Sequence, residues 1–288
     1  MLGSQVVGPA RVSGPIAVLD GDGKVRWEVL LEFSSVSLHF GGLQALSEVS
    51  FTLYEGETAA LIGPNGAGKT SVFNCLCGFY RPQGGDILWR GRSIRRLAPH
   101  KIARLGIARS FQNVELFADL SCFENLLLGR HQHVRSTLLG AMLATPGWVR
   151  DEVRQRRRAE EIMERLELHS YRDQPVSTLP YGVKKLVGVA RALAQEPTLL
   201  LLDEPTAGMT AEEKEGMMSQ LLDLKRSDHL SMLVVEHDLR VVSRLAERVL
   251  VLDYGRKIAD GTPREVQEQP AVVRAYLGDA RLAGSKET

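Results

Sequence analysis

The chain has few cysteines, no apolar run of membrane length and almost no net charge. Its three cysteines, Cys75, Cys77 and Cys122, are odd in number and show no C-x-x-C spacing. That pattern argues against a disulfide framework and fits a reducing cytosol. No apolar stretch approaches the roughly 18 residues needed to span a bilayer, and the first residues carry no signal-peptide pattern. Any membrane role must therefore come through a partner. The net charge is +1, so no global field argues for nucleic acid. Basic clusters do occur, at Arg90, Arg92, Arg95, Arg96, Lys101, Arg104 and Arg109 and again at Arg154, Arg156, Arg157 and Arg158. A solvated face is the ordinary explanation of such runs. Sustained heptads are also missing, which leaves no coiled-coil arm. What remains is length: 288 residues can bury a sizeable core as one large or two small domains.

One stretch organises that length. Thr58 to Ile62 is a short apolar run, and it is followed by Gly63-Pro64-Asn65-Gly66-Ala67-Gly68-Lys69-Thr70-Ser71. Gly63, Gly68, Lys69 and Thr70 match G-x-x-x-x-G-K-[ST], with a strand pattern before the loop and a helix pattern, Lys69 to Gly78, after it. In such a loop successive N–H groups converge on phosphate oxygens, and the helix N-terminus adds partial positive charge. Lys69 would reach the outer phosphates and Thr70 would ligate Mg²⁺.

Around this loop the chain reads as follows. Residues 1–28 are rich in glycine and proline and read as a flexible or weakly structured extension. Leu31 to Phe40 and Val49 to Leu53 nearly alternate in polarity, as strands do, about a turn at Gly41-Gly42. Gly84 to Trp89 and Ile107 to Gln112 read as further strands. Ser121 to Met163 leans helical, with Thr145-Pro146-Gly147 expected to break or bend the run. Leu186, Val189, Ala190 and Leu193 recur at helical spacing, giving a helix that begins near Gly182 and is ended by Pro197. Leu199 to Leu202 and Met232 to Val235 are continuous apolar runs closing in Asp203-Glu204 and Glu236-His237-Asp238, the pattern of central strands buried on both faces. A strand pair about Gly255 and a short helix from Ala271 to Leu277 finish the chain. Alternating strands and helices imply a parallel sheet whose ligands gather at the strands' carboxyl ends.

Those ends carry chemistry. Asp203 suits a Mg²⁺-directed carboxylate, Glu204 a group that polarises an attacking water, and His237 a hydrogen-bonding partner of the γ-phosphate and that water. Taken in order, Gly63 to Thr70, Gln112, Leu202-Asp203-Glu204-Pro205-Thr206 and Glu236-His237-Asp238 resemble the nucleotide-binding subunit of an ABC transporter, from about residue 30 to the C-terminus. Phe40-Gly41-Gly42-Leu43, Phe73 to Tyr80, the insertion after Glu124-Asn125-Leu126 and Arg274 to Gly278 resemble, more narrowly, the ATPases of bacterial branched-chain amino-acid uptake systems.

The resemblance implies an α/β, P-loop NTPase fold of the ABC type, with an antiparallel β subdomain and a helical subdomain over about 113–195. The ATP-binding domain would span 29–278 and a tail 279–288. It further implies that Phe40 stacks on adenine, that Gln112 links Mg²⁺ to a groove from Asn113 to Gly129, and that two ATPases bind two ATP head to tail. Implied partners are a second ATPase subunit, two integral membrane permeases and an extracytoplasmic solute-binding protein, with no nucleic acid; the implied place is the cytoplasmic face of the inner membrane. The segment offered to the partner's ATP is Leu179-Pro180-Tyr181-Gly182-Val183, where the family pattern is Leu-Ser-Gly-Gly-Gln. Pro180 brings neither hydroxyl nor N–H, and Thr210 stands where the family usually has an aspartate. Residues for the chain's own ATP are intact while those for the partner's are degraded, so the pair is expected to be an asymmetric heterodimer. Two other readings remain open on these residues: a soluble ABC-type ATPase acting on nucleic acid, and a low-turnover regulatory subunit.

Overall fold

The computed structural model describes residues 17–19, 25–110, 116–134, 145–228 and 230–276. In chain order the first half runs β1 (Ala17–Leu19), β2 (Val25–Trp27), β3 (Val29–Phe40), β4 (Leu43–Tyr54), β5 (Thr58–Ile62), α1 (Lys69–Leu76), β6 (Gly84–Trp89), β7 (Arg92–Ser93), α2 (Pro99–Arg104) and β8 (Ile107–Ser110). There follow α3 (Cys122–Gly129), α4 (Pro146–Arg165), α5 (Tyr181–Leu193), β9 (Leu199–Asp203), α6 (Ala211–Asp228), β10 (Ser231–Val235), α7 (Leu239–Leu245), β11 (Arg248–Asp253), β12 (Arg256–Gly261) and α8 (Pro263–Gln267). A last helical stretch covers 270–276.

Two sheets carry the fold. The smaller is antiparallel, in the order β4-β3-β6-β7, and the larger runs β12-β11-β5-β10-β9-β8. All neighbours in the larger sheet are parallel except the edge strand β12, which pairs antiparallel with β11 after a tight turn at 254–255. Within the extension, β1 and β2 pair antiparallel, with Ala17 opposite Trp27.

Every residue of β5, β9 and β10 is buried, because helices or the second sheet cover both faces. Alternation then assigns side chains to opposite layers. Leu199, Leu201, Leu233 and Val235 join a core with α1 and the antiparallel sheet. Leu200, Leu202, Met232 and Val234 join a second core with α3, α4, α5 and α6. Ala60, Ile62, Val249 and Val251 pack a third with α7, α8 and Val272. One continuous sheet thereby binds three apolar layers.

Local signals explain the helix limits. Ser121 and Glu124 form a reciprocal capping box at the start of α3. Thr145 caps α4 through Trp148 N, and Pro146 takes the first helical position, where its missing N–H costs nothing. Thr145-Pro146-Gly147 therefore breaks the helical run, as its residues predict, with Thr145 extended and α4 starting at Pro146. The start expected near Gly182 is at Tyr181, and α5 ends at Leu193, four residues before Pro197. Arg156, Arg157 and Arg158 make exposed ion pairs with Glu152 and Glu161 along α4, a solvated face as expected. Among the described residues no helix is long and apolar enough to cross a membrane.

Leu233 tests the weight of the central layer, since it is fully buried in the core shared with α1. Leu233→Ala should cost roughly 2–5 kcal/mol in urea unfolding with an unchanged denaturant slope. A loss within the range of a surface substitution, about 0.5 kcal/mol, would place the core elsewhere.

A nucleotide site at the carboxyl ends of the parallel strands

The loop between β5 and α1 is shaped by close backbone approach. Gly63 has φ +149°, and a Cβ there would fall 2.1 Å from the carbonyl oxygen of Leu252 on β11. Only glycine fits that position. Pro64 and Ala67 are buried, Asn65, Gly66 and Thr70 face solvent, and Gly68 and Ser71 are half-buried. Gly68 precedes α1 at φ +104° and turns the chain into the helix. Ala67 is fixed at both ends of its peptide: its N–H donates to Pro64 O at 3.2 Å, and its carbonyl accepts from Gly255 N at 3.0 Å. Lys69 is buried, and its ammonium donates to Gly63 O at 2.6 Å and Pro64 O at 2.9 Å. The lysine is thus held over its own loop, where anionic oxygens could replace the two carbonyls.

Beside the loop end β10 and β9, in register, with Val235 opposite Asp203. Asp203 is buried and pairs with Arg109 of β8 at 2.5 Å, the two side chains being 4% and 7% exposed. Arg109 also donates to Asn74 Oδ1 at 2.7 Å and lies 5.3 Å above the Phe73 ring, so it joins β9 to α1. Glu204 follows at φ +49°, its N–H donating to Val235 O at 2.9 Å. Its Oε1 lies 2.8 Å from His237 Nε2. A carboxylate only accepts, so this contact makes Nε2 the protonated nitrogen. Glu236 is buried and accepts from Thr206 N at 3.0 Å, Thr206 Oγ1 at 2.6 Å and His237 N at 3.0 Å, tying the loops after β9 and β10 together.

Phe40 stands half-exposed at the end of β3, edge-on to Tyr80 with ring centres 4.9 Å apart. At the start of α5, Leu179 is buried, Pro180 is the N-cap residue, Tyr181 is exposed and Val183 is half-buried. Gly182 is buried so tightly that a Cβ would lie 2.5 Å from Glu213 Oε1. Glu213 in turn accepts from Thr210 N at 2.8 Å, and Thr210 Oγ1 accepts from Glu213 N at 3.3 Å. This pairing caps α6, a duty that serine, threonine and aspartate share, and it gives Thr210 a structural role at the position where the pattern departs. Gln112 and Asn113 lie outside the described residues.

Comparison with known proteins identifies this arrangement. Residues 46–207 match the ABC transporter family model, and residues 256–281 match that of the branched-chain amino acid ATP-binding cassette transporter. The chain is 38% identical to the high-affinity branched-chain amino acid transport ATP-binding protein BraF of Pseudomonas aeruginosa, over 87% of this chain and 98% of that protein. It is 40% identical to LivG of Salmonella typhimurium over the same shares. The chain belongs to the ABC transporter ATP-binding subunits, in their branched-chain amino acid group. A crystal structure of an ATP-binding cassette of an ABC transporter in its ADP conformation superposes with TM-score 0.76 at 29% identity, covering 87% of this chain and 99% of that one. A nucleotide-free cassette gives TM-score 0.76 at 28% identity.

The ABC fold brings Lys69, Thr70, Asp203, Glu204 and His237 to one edge of the sheet, as their spacing predicts. Thr70 and Asp203 offer a hydroxyl and a carboxylate, the hard oxygen donors that suit Mg²⁺. Arg109 was misplaced by its sequence neighbourhood. It sits among basic residues that read as a solvated face, yet it is buried against Asp203. Its signal is position: β8 runs parallel to β9 and delivers Arg109 opposite Leu201.

The Arg109–Asp203 pair makes a cycle possible. Arg109→Met leaves a buried carboxylate unpaired and should cost about 3–5 kcal/mol in denaturant unfolding. Adding Asp203→Leu should recover most of that loss, and additive losses would show that the two groups do not interact.

Proposed function

We propose that this ATPase works in a head-to-tail pair with a second, different ATPase chain. The pair couples ATP binding and hydrolysis to uptake of branched-chain or other hydrophobic amino acids through two integral membrane permeases. It would sit peripherally at the cytoplasmic face of the inner membrane, with solute delivered by an extracytoplasmic solute-binding protein. The observation that carries the catalytic part is the Glu204–His237 contact beside the Lys69 loop.

In this reading Lys69 exchanges the carbonyls of Gly63 and Pro64 for phosphate oxygens. The N–H groups of Asn65, Gly66 and Gly68, with the first turn of α1, supply the remaining donors. Thr70, Asp203 and Gln112 hold Mg²⁺, which neutralises charge on the phosphates when bound. Phe40 packs on the adenine. Glu204 accepts a hydrogen bond from the attacking water, and His237, held by Glu204 through Nε2, orients that carboxylate and lies next to the γ-phosphate. Leu179, Pro180, Tyr181, Gly182 and Val183 face the partner's nucleotide. Pro180 can donate nothing there, and one missing charge-assisted hydrogen bond costs about 1.5–3 kcal/mol. The site that this segment completes is therefore the slower of the two.

Two measurements test the reading on the complex purified from membranes. Its ATP hydrolysis should rise with solute-binding protein and a branched-chain amino acid; no response to any of them would remove that solute class. Glu204→Gln should reduce transport-coupled hydrolysis at least about 100-fold, while the matching change in the partner ATPase does less. Equal loss from both substitutions would sink the asymmetry.

A further inference from the structure

Glu204 is anchored at three separate atoms, and one anchor comes from the helix that begins with the segment facing the partner. Its N–H is held by Val235 of β10 and its carboxylate by His237. Its carbonyl accepts from Lys185 Nζ at 2.9 Å and, at 3.2 Å, from the Ala207 N–H of its own loop. Lys185 lies one turn into α5 and is 4% exposed. Tyr181, one turn earlier on the same helix, has its ring centre 5.9 Å from the ammonium and its edge against Gly208.

The third anchor matters because of the backbone that it holds. Glu204 has φ +49°, a left-handed conformation that costs a non-glycine residue energy and persists only when surrounding contacts over-determine it. The orientation of the peptide after Glu204 sets where its side chain leaves the chain; the Ala207 N–H holds that oxygen from within the loop, and Lys185, at the shorter distance, grips it from α5. Asp203, Glu204 and Glu236 all attract the ammonium, but burial outweighs them and holds the lysine below its ordinary pKa. A cation kept dry beside three acids is costly unless it bonds, and the Glu204 carbonyl is one acceptor that the packing offers it.

We infer that Lys185 is a positioning residue: by holding the Glu204 carbonyl it fixes the left-handed turn that aims the Glu204 carboxylate at His237 and the attacking water. The inference rests on the reading of Glu204 as the group that polarises water. It also makes the position of α5, whose first turn faces the neighbouring ATPase, an input to catalysis at this chain's own nucleotide.

The test compares Lys185→Met, Lys185→Gln, Lys185→Arg and Glu204→Gln in the full chain within its complex. Three quantities are read: affinity for a fluorescent ATP analogue, kcat against KM, and melting temperature. Met and Gln should leave analogue affinity within about twofold and lower kcat at least about tenfold, a split expected when only transition-state positioning is lost. Arg, which can still donate to the carbonyl, should restore most of kcat. Either neutral variant that melts like the wild type suffices if the other does not fold. Unchanged kcat in such a variant would overturn the inference, as would affinity falling in step with kcat or an arginine that restores nothing. Turnover persisting in Glu204→Gln would instead overturn the reading of Glu204 itself.

Discussion

Everything in the site depends on three fully buried parallel strands lying side by side. Because β5, β10 and β9 run in one direction, their carboxyl ends reach the same edge, and each strand must leave the sheet there by a turn. Those turns are the phosphate loop, the Glu236-His237 loop and the Asp203-Glu204 loop. Parallel pairing of this kind survives only when both faces are covered, so the three apolar layers and the site are one construction.

Close backbone contact then sharpens the edge. Gly63 is pressed on the carbonyl of Leu252, and Gly182 on the carboxylate of Glu213. Glu236 ties two loops through Thr206 and the His237 N–H, while Arg109 ties Asp203 to α1. Few of these ties touch where a nucleotide would lie. They hold fixed the groups that do, which is the condition for charge stabilisation without reorganisation.

Much of this was legible in the residue pattern. Apolar runs closing in acids marked β9 and β10, the loop glycines marked the phosphate cradle, and alternation about Gly41-Gly42 marked the β3–β4 hairpin. Less legible were features whose meaning lies in a distant partner. Arg109 and Lys185 look like surface cations because charge in sequence says nothing of burial; both are buried by elements far away in the chain.

By itself the sequence determined which chemical groups exist and the order in which strands and turns deliver them: a lysine after a glycine loop, two acids after one apolar run, a histidine after another, a proline where a hydroxyl is usual. Local patterns suffice for that, since spacing and turn chemistry act over a few residues. Only the tertiary structure decided which cations meet which acids. Arg109 reaches Asp203 across 94 positions and Lys185 reaches Glu204 across 19. Such pairings are set by strand order and helix placement, because a buried charge takes whatever partner the packing leaves within hydrogen-bond reach.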